Sequence, residues 1–520
     1  MKIFMKTVMK AVMSWMSRKR LLTLIGIVGG CLLAFSLYVP ITTFINRHTR
    51  PDRLQITWMN IFVHGSFGSL LGFLSFSDVL SDKVSGTIYR DTTKKMRMDD
   101  FFFKDQPILQ RGLHYVDISL DSGKNNNRNY AIYPICKAFA EVAREYELEA
   151  FGPEGRSYNM FYAFGWSGLI SQNSRRYEAI RLHNVLVAEI KRIKALHIPN
   201  LKVRLIAHSH GGNLCLNLAA IKKVLNVKNF FDDGIVFSAD ADEQASLTSM
   251  ATLLKGLTTK EIASTKVDQK AYDYLPESND LIIDQLVMMG TPIQPETESF
   301  CYASMFKEVY NLYSDEDYVQ RSDWVSSKKS VSSARITKKP NLQALKSNDL
   351  ATLYQGQIIT KLRPVGTSGV VDSPSPQKTE EQQVENQNVF QQLLSGKNIF
   401  VRKSADPTHK ELWFFNWDAK IYAENPHALP CAPLPVVAFL PLILHAFKTP
   451  KAPYDAVILM SKDEKNFTIS IGKYKTKEIV SRLPISTEML RYLQENVRTW
   501  APRDTSGLSE FEVINKIVAP

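Results

Sequence analysis

The chain has 520 residues, with a hydrophobic fraction of 44% and a charged fraction of 22%. These ordinary globular values exclude collagen-like, disordered and multi-span membrane architectures for most of it, and the length provides for a large core. The net charge of +12 is concentrated: residues 1–53 carry nine Lys and Arg against Asp52 alone, a net +8, and the other 467 residues share +4. A nucleic-acid face would need its basic side chains clustered on the folded body, so no nucleic-acid partner is expected.

The first element is apolar. Residues 21–45, LLTLIGIVGGCLLAFSLYVPITTFI, run 25 positions without a charge, directly after Arg18, Lys19 and Arg20. That length crosses a hydrocarbon core of about 30 Å as a helix. Six basic residues and no acid precede it, so the positive-inside bias predicts a cytoplasmic segment 1–20, a transmembrane signal anchor 21–45, and a main domain on the far side. The alternative is a cleaved signal peptide with residues 21–33 as its core and Ala34-Phe35-Ser36 as its cleavage site. The main domain is extracytoplasmic in either case, single-pass in the first and secreted in the second.

A polar connector leads into a β-rich stretch at 55–63, QITWMNIFV, which ends at His64-Gly65-Ser66-Phe67-Gly68. Residues 134–149 read as a helix. NMFYAFGW (159–166) is apolar and aromatic, a buried strand by type and length. Over 174–197, Ala179, Leu182, Leu186, Val187, Ile190 and Ile193 recur at three- and four-residue spacing, which predicts an amphipathic helix. A strand with Val203, Leu205 and Ala207 on one face follows, then a turn at 208–211 and a helix from about Gly212.

Residues 228–281 are polar, irregular and too long for an ordinary connection, a candidate lid. IIDQLVMM (282–289) and KEVYNLY (307–313) read as two further buried strands. The composition shifts at 325–395, and 364–388 is rich in Pro, Ser and Gln, so this stretch reads as a flexible insertion. A strand at 398–403 follows. LPVVAFLPLILHAF (434–447) is apolar and broken by prolines, too short to span a bilayer, and reads either as core or as a channel lining. Apolar strands alternating with helices predict a mostly parallel sheet covered on both faces. The five cysteines form no CxxC pair and no metal-ligand spacing, so neither a disulfide framework nor a metal is expected.

The chemistry-bearing motif is Ala207-His208-Ser209-His210-Gly211, between a strand and a helix. A serine on such a turn presents its hydroxyl at the top of a sheet, over a helix N-terminus. This resembles the nucleophile elbow of the α/β-hydrolase superfamily, lipase/esterase branch, with Ala207 in place of the usual first glycine. His64-Gly65-x-x-Gly68 after an early strand is similar to the oxyanion-hole motif of lipases. The resemblance covers roughly residues 51–415, leaving 416–520 as a C-terminal extension packed on the hydrolase domain.

The resemblance implies an α/β-hydrolase fold with Ser209 as nucleophile and the backbone N–H groups of Ser66 and His210 as oxyanion hole. It also implies an acid, then a histidine, in chain order. Ser314-x-x-Asp317-x-Val319 matches the acid turn, so Asp317 takes that place, with Asp315 as alternative. His409 fits the histidine, with His427 and His445 as alternatives. Trp166, in a Trp-Ser-Gly triplet, is a candidate wall of the site. His208 and His210 form an H-x-H start of a metal site, but Gly212 and Asn213 occupy the next ligand places. Arg175 and Arg176 read as surface charge.

The expected function is a membrane-anchored serine hydrolase of the carboxylesterase or lipase type, acting on carboxylic esters and in particular lipid acyl esters, without a cofactor. Its partners would be the ester substrate and the membrane, through 21–45. The alternatives are a catalytically inactive hydrolase-fold binding module and a thioesterase or peptidase using the same triad.

Overall fold

The computed structural model describes residues 56–65, 112–118, 132–151, 157–166, 168, 171–198, 200–227, 229–230, 232, 235–257, 272, 274–277, 279–317, 319–320, 332–338, 350–360, 406–409, 411–413, 434–449, 452–462 and 465–500. The expected signal anchor 21–45, the Pro-, Ser- and Gln-rich stretch 364–388 and the strand expected at 398–403 lie outside them. Among the described residues no helix is long and apolar enough to cross a membrane.

Among the described residues ten strands form one mixed, mostly parallel sheet. They are β1 (Thr57–Val63), β2 (Gly112–Val116), β3 (Tyr158–Gly165), β4 (Leu201–His208), β5 (Ile283–Met289), β6 (Phe306–Tyr313), β7 (Thr352–Thr360), β8 (Asp455–Lys462), β9 (Asn466–Lys473) and β10 (Ile479–Ser486). The order across the sheet is β10-β9-β8-β7-β6-β5-β4-β1-β3-β2. The seven strands from β3 to β8 run parallel, and β2, β9 and β10 add antiparallel pairings at the two edges.

Side chains alternate between two cores, as the pleat requires. On one face Met59, Ile61, Leu205 and Ala207 pack under helices α2 (Gln172–Ala195), α3 (His210–Leu225) and α4 (Ala241–Lys255). On the other Phe62, Ile206 and Val287 pack under α1 (Ile132–Phe151), α5 (Leu440–Lys448) and α6 (Thr487–Trp500). Helix α2 is capped at its start by Ser171, whose hydroxyl accepts the Ser174 N–H.

The second face also carries a polar ladder across the strands. Asn60 donates to Asn159, Arg204 to Asn60 and Gln285, and Gln285 to Glu308, which also accepts from Tyr310 and Lys448. Arg204 lies over the Trp58 ring, 4.0 Å from its centroid. Burial pulls its guanidinium down to about 10, and the surrounding carboxylates and phenol oppose that shift. Each polar side chain is matched by a neighbour one strand away, so a single-residue slip of register would strand several buried donors at once.

Four readings of the sequence change. Residues 325–395 are not one insertion: Thr352–Thr360 is β7, hydrogen-bonded between β6 and β8 in the middle of the sheet. Residues 416–520 are more than an extension packed on the domain, because β8, β9 and β10 within them continue its sheet. Within 228–281, residues 241–255 are not irregular: they form α4, whose Leu247, Met250 and Leu254 enter the core and whose Asp240 cap accepts two backbone N–H groups. Arg175 and Arg176 are buried rather than surface charges, and Arg175 donates to Gln294. Most of the run at 434–447 is core: Leu440, Leu442 and Ile443 of α5 are fully buried.

Candidate active site

The candidate residues gather at the carboxyl ends of adjacent parallel strands, where open α/β sheets place their ligand crevices. Strand β4 ends at His208, and α3 begins at His210. Ser209 lies between them with φ 53° and ψ −135°. A positive φ on a residue with a side chain stores on the order of 1–3 kcal/mol of strain and persists only where its surroundings impose it.

The surroundings do impose it. The Ser209 N–H donates to the Met289 carbonyl at 3.0 Å, tying the turn to the end of β5. A Cβ on Gly211 would lie 2.5 Å from the His64 carbonyl oxygen, and one on Gly65 2.6 Å from Ser209 Cβ. Neither position accepts a side chain without backbone movement, so two glycines let the end of β1 and the start of α3 close around the serine. Ala207, where the resemblance expects glycine, is fully buried and packs in the sheet core without a comparable need.

Asp317 follows β6 and is fully buried. Its Oδ2 lies 2.8 Å from His409 Nδ1, and its Oδ1 accepts the Gln320 N–H at 3.1 Å. Since Asp317 is the acceptor in the first bond, Nδ1 carries the proton and Nε2 is left as the basic atom. Asp315, the alternative acid, instead accepts a hydrogen bond from Gln357 of β7 at 2.6 Å. Of the alternative histidines, His427 lies outside the described residues, and His445 sits on α5 against Tyr146, at 4.5 Å between centroids.

The stretch carrying His409 is held to the sheet by the Thr360 N–H, which donates to Asp406 at 2.7 Å, and by His208, whose Nε2 lies 3.0 Å from the His409 carbonyl oxygen. The His208 ring packs against that of His409, 4.4 Å between centroids, and stacks on Trp413 at 5.3 Å. Burial pushes the imidazoles of His208 and His210 far below the ordinary histidine value, so both are neutral. At His210 the largest effect after burial is the charge of Arg175, which acts in the same direction.

His210 opens α3, so its N–H sits at the positive end of the helix dipole, next to Ser209. Ser66, the other expected oxyanion donor, lies outside the described residues. Trp166 is placed at the His64-Gly65 turn: it is fully buried, stacks on His64 at 5.5 Å, and donates its indole N–H to the His64 carbonyl at 2.7 Å. It buttresses the turn from behind.

Sequence reasoning missed His208 as a contact of His409. The two are 201 residues apart, and no local pattern links them. Among the described residues no group of three or more His, Cys, Asp or Glu side chains is disposed to hold a metal, and Cys136, Cys215 and Cys301 are buried free thiols. No protein-family model, no curated protein and no solved structure matches this chain.

Proposed function

We propose that this chain is a serine hydrolase of the α/β-hydrolase fold that cleaves carboxylic esters through an acyl-enzyme. The observation that carries the proposal is the 2.8 Å bond from His409 Nδ1 to buried Asp317, at the same sheet end as the positive-φ Ser209. Support also comes from chain order: serine after β4, acid after β6 and histidine beyond β7 follow the order Ser…Asp…His of that superfamily.

In this mechanism Ser209 Oγ attacks the ester carbonyl while His409 Nε2 takes its proton. Asp317 stabilises the imidazolium that forms. The N–H of His210, with that of Ser66, stabilises the oxyanion. The imidazolium then protonates the leaving alcohol, and water repeats the sequence in reverse to release the acid. No step calls for a cofactor.

Lipid acyl esters remain the proposed substrate class, resting on the apolar segment 21–45 as a signal anchor that holds the domain at an extracytoplasmic membrane face. The run at 434–447 no longer adds to that case, because most of it is core.

The test is labelling of the full-length protein with a fluorophosphonate, alongside turnover of p-nitrophenyl esters, phospholipids and thioesters. Wild type should be labelled on Ser209, and Ser209→Ala should be folded, unlabelled and inactive. A folded wild type that neither labels nor turns over any of these esters would leave a binding module on a hydrolase scaffold. Turnover of thioesters alone would move the substrate class.

A further inference from the structure

His208 lies one residue before the proposed nucleophile, at the rigid end of a central strand. Its side chain is almost fully buried, and its Nε2 is 3.0 Å from the His409 carbonyl oxygen. A carbonyl can only accept, so the neutral ring carries its proton on Nε2. The Nδ1 side faces the close approach of Gly65, where a Cβ would lie 3.2 Å away.

The stretch around His409 is tied on both sides of the histidine: Asp406 accepts from Thr360, the Leu412 N–H donates to Thr408, the Thr408 N–H donates to Glu411, and the Glu411 and Leu412 carbonyls accept from Val436 and Val437. The bond from His208 is made at His409 itself. That bond fixes the main chain of His409, whereas Asp317 fixes its ring.

Resting on the assignment of Ser209, His409 and Asp317 as a triad, we propose that His208 is a positioning residue: its Nε2–H, donated to the His409 carbonyl, locks the base-bearing loop to the strand that carries the nucleophile. The distance between nucleophile and base is then set by one side chain spanning the two. A neutral ring suits this place, because a second cation 4.4 Å from His409 would oppose the imidazolium formed in each turnover.

Two substitutions separate the bond from the packing. His208→Phe keeps an aromatic ring against Trp413 and His409 but removes the donor. His208→Gln removes the ring and offers an amide N–H at about the reach of Nε2. In the full-length protein we expect His208→Phe to lower the fluorophosphonate labelling rate and kcat about a hundredfold with KM little changed, the scale of loss that follows a small displacement of a reacting group. His208→Gln should recover most of that loss.

A second readout needs no activity. The proton shared by His409 Nδ1 and Asp317 should give a strongly deshielded proton NMR signal in wild type, assigned by its loss in Asp317→Asn. It should broaden or exchange faster in His208→Phe and return in His208→Gln. If wild type proves inactive towards every ester, the triad reading fails, yet this signal still decides whether His208 orders the loop. His208→Phe with wild-type kcat and an unchanged signal overturns the proposal. So does a His208→Gln as impaired as His208→Phe, which would assign the effect to ring packing.

Discussion

A Cβ on Gly290 would stand 2.6 Å from Asp317 Oδ2 and 3.1 Å from His409 Nδ1. Gly290 follows β5 with φ +61°, a conformation that side chains also disfavour. We expect Gly290→Ala to force the histidine and the carboxylate apart, lowering kcat/KM about a hundredfold and destabilising the fold by about 1–3 kcal/mol. Ester turnover and urea melts check both effects. A variant with wild-type turnover would mean that the pair has room to shift and still function.

The two neighbouring acids should behave differently. Asp317 is bonded to His409, and Asp315 to Gln357 on β7. Asp317→Asn should lose about three to four orders of magnitude in kcat, because an amide favours the wrong tautomer of the histidine. Asp315→Asn should stay within about tenfold of wild type, on the order of 1.4 kcal/mol of barrier. Steady-state kinetics on one ester substrate decide the matter, and an inactive Asp315→Asn beside an active Asp317→Asn would reverse the assignment.

Shortening the segment after β7 should be tolerated. Thr360 ends β7 and donates to Asp406, so the described residues on either side of 361–405 adjoin. A loop with adjoining ends can lose residues without moving either anchor, and its closure entropy changes by less than about 1 kcal/mol. Deletion of 366–388 should leave the thermal midpoint and ester turnover close to wild type, whereas deletion of 352–360 should leave no folded protein. A large fall in midpoint in the first variant would show that 366–388 packs on the domain.

Stability should fall in mild acid. His183 of α2 is almost fully buried, and burial lowers its pKa to about 4. An unfolded histidine titrates near 6.5, so between about 6.5 and 4 the unfolded chain binds the extra proton. Stability is then complete above 6.5 and declines as the pH drops through this window, by about 2 kcal/mol at pH 5 from this group alone. His208 and His210 act in the same direction. Urea midpoints at pH 7.5 and pH 5 should differ in wild type and differ less in His183→Leu, and equal slopes in the two proteins would remove His183 as a source.

The strands legible in the sequence were those buried on both faces. NMFYAFGW and IIDQLVMM are apolar runs because α-helices cover both sides of β3 and β5. Strand β7 was not legible. Its TLYQGQIIT carries Gln355 and Gln357, which look like loop residues until their partners are known: Gln355 accepts the Ile336 N–H and Gln357 donates to Asp315. The polar residues complete a tertiary network, and no local pattern records it. Helix α4 was missed although Leu247, Met250, Ala251 and Leu254 recur at i, i+3, i+4 and i+7, because the polar residues between them made ADEQASLTSMATLLK read as connection. The elbow was readable because backbone strain demands small residues at fixed offsets from Ser209. His409 was reached only through the chain order Ser…Asp…His that the resemblance implies, since no local pattern links it to Asp317, 92 residues earlier.

The chain order of the sheet has a consequence for how the protein is made. At about 5–20 residues per second, the 201 residues between His208 and His409 occupy a ribosome for about 10–40 s. During that interval β5 and then β6 can join β1, β3 and β4 as they emerge, with the Ser209 turn in place and His409 still unsynthesised. The proposed triad is therefore incomplete until that interval ends. The growing chain also presents β6 as an open edge until β7 arrives, so a chain that stalls between the two is a hazard for aggregation.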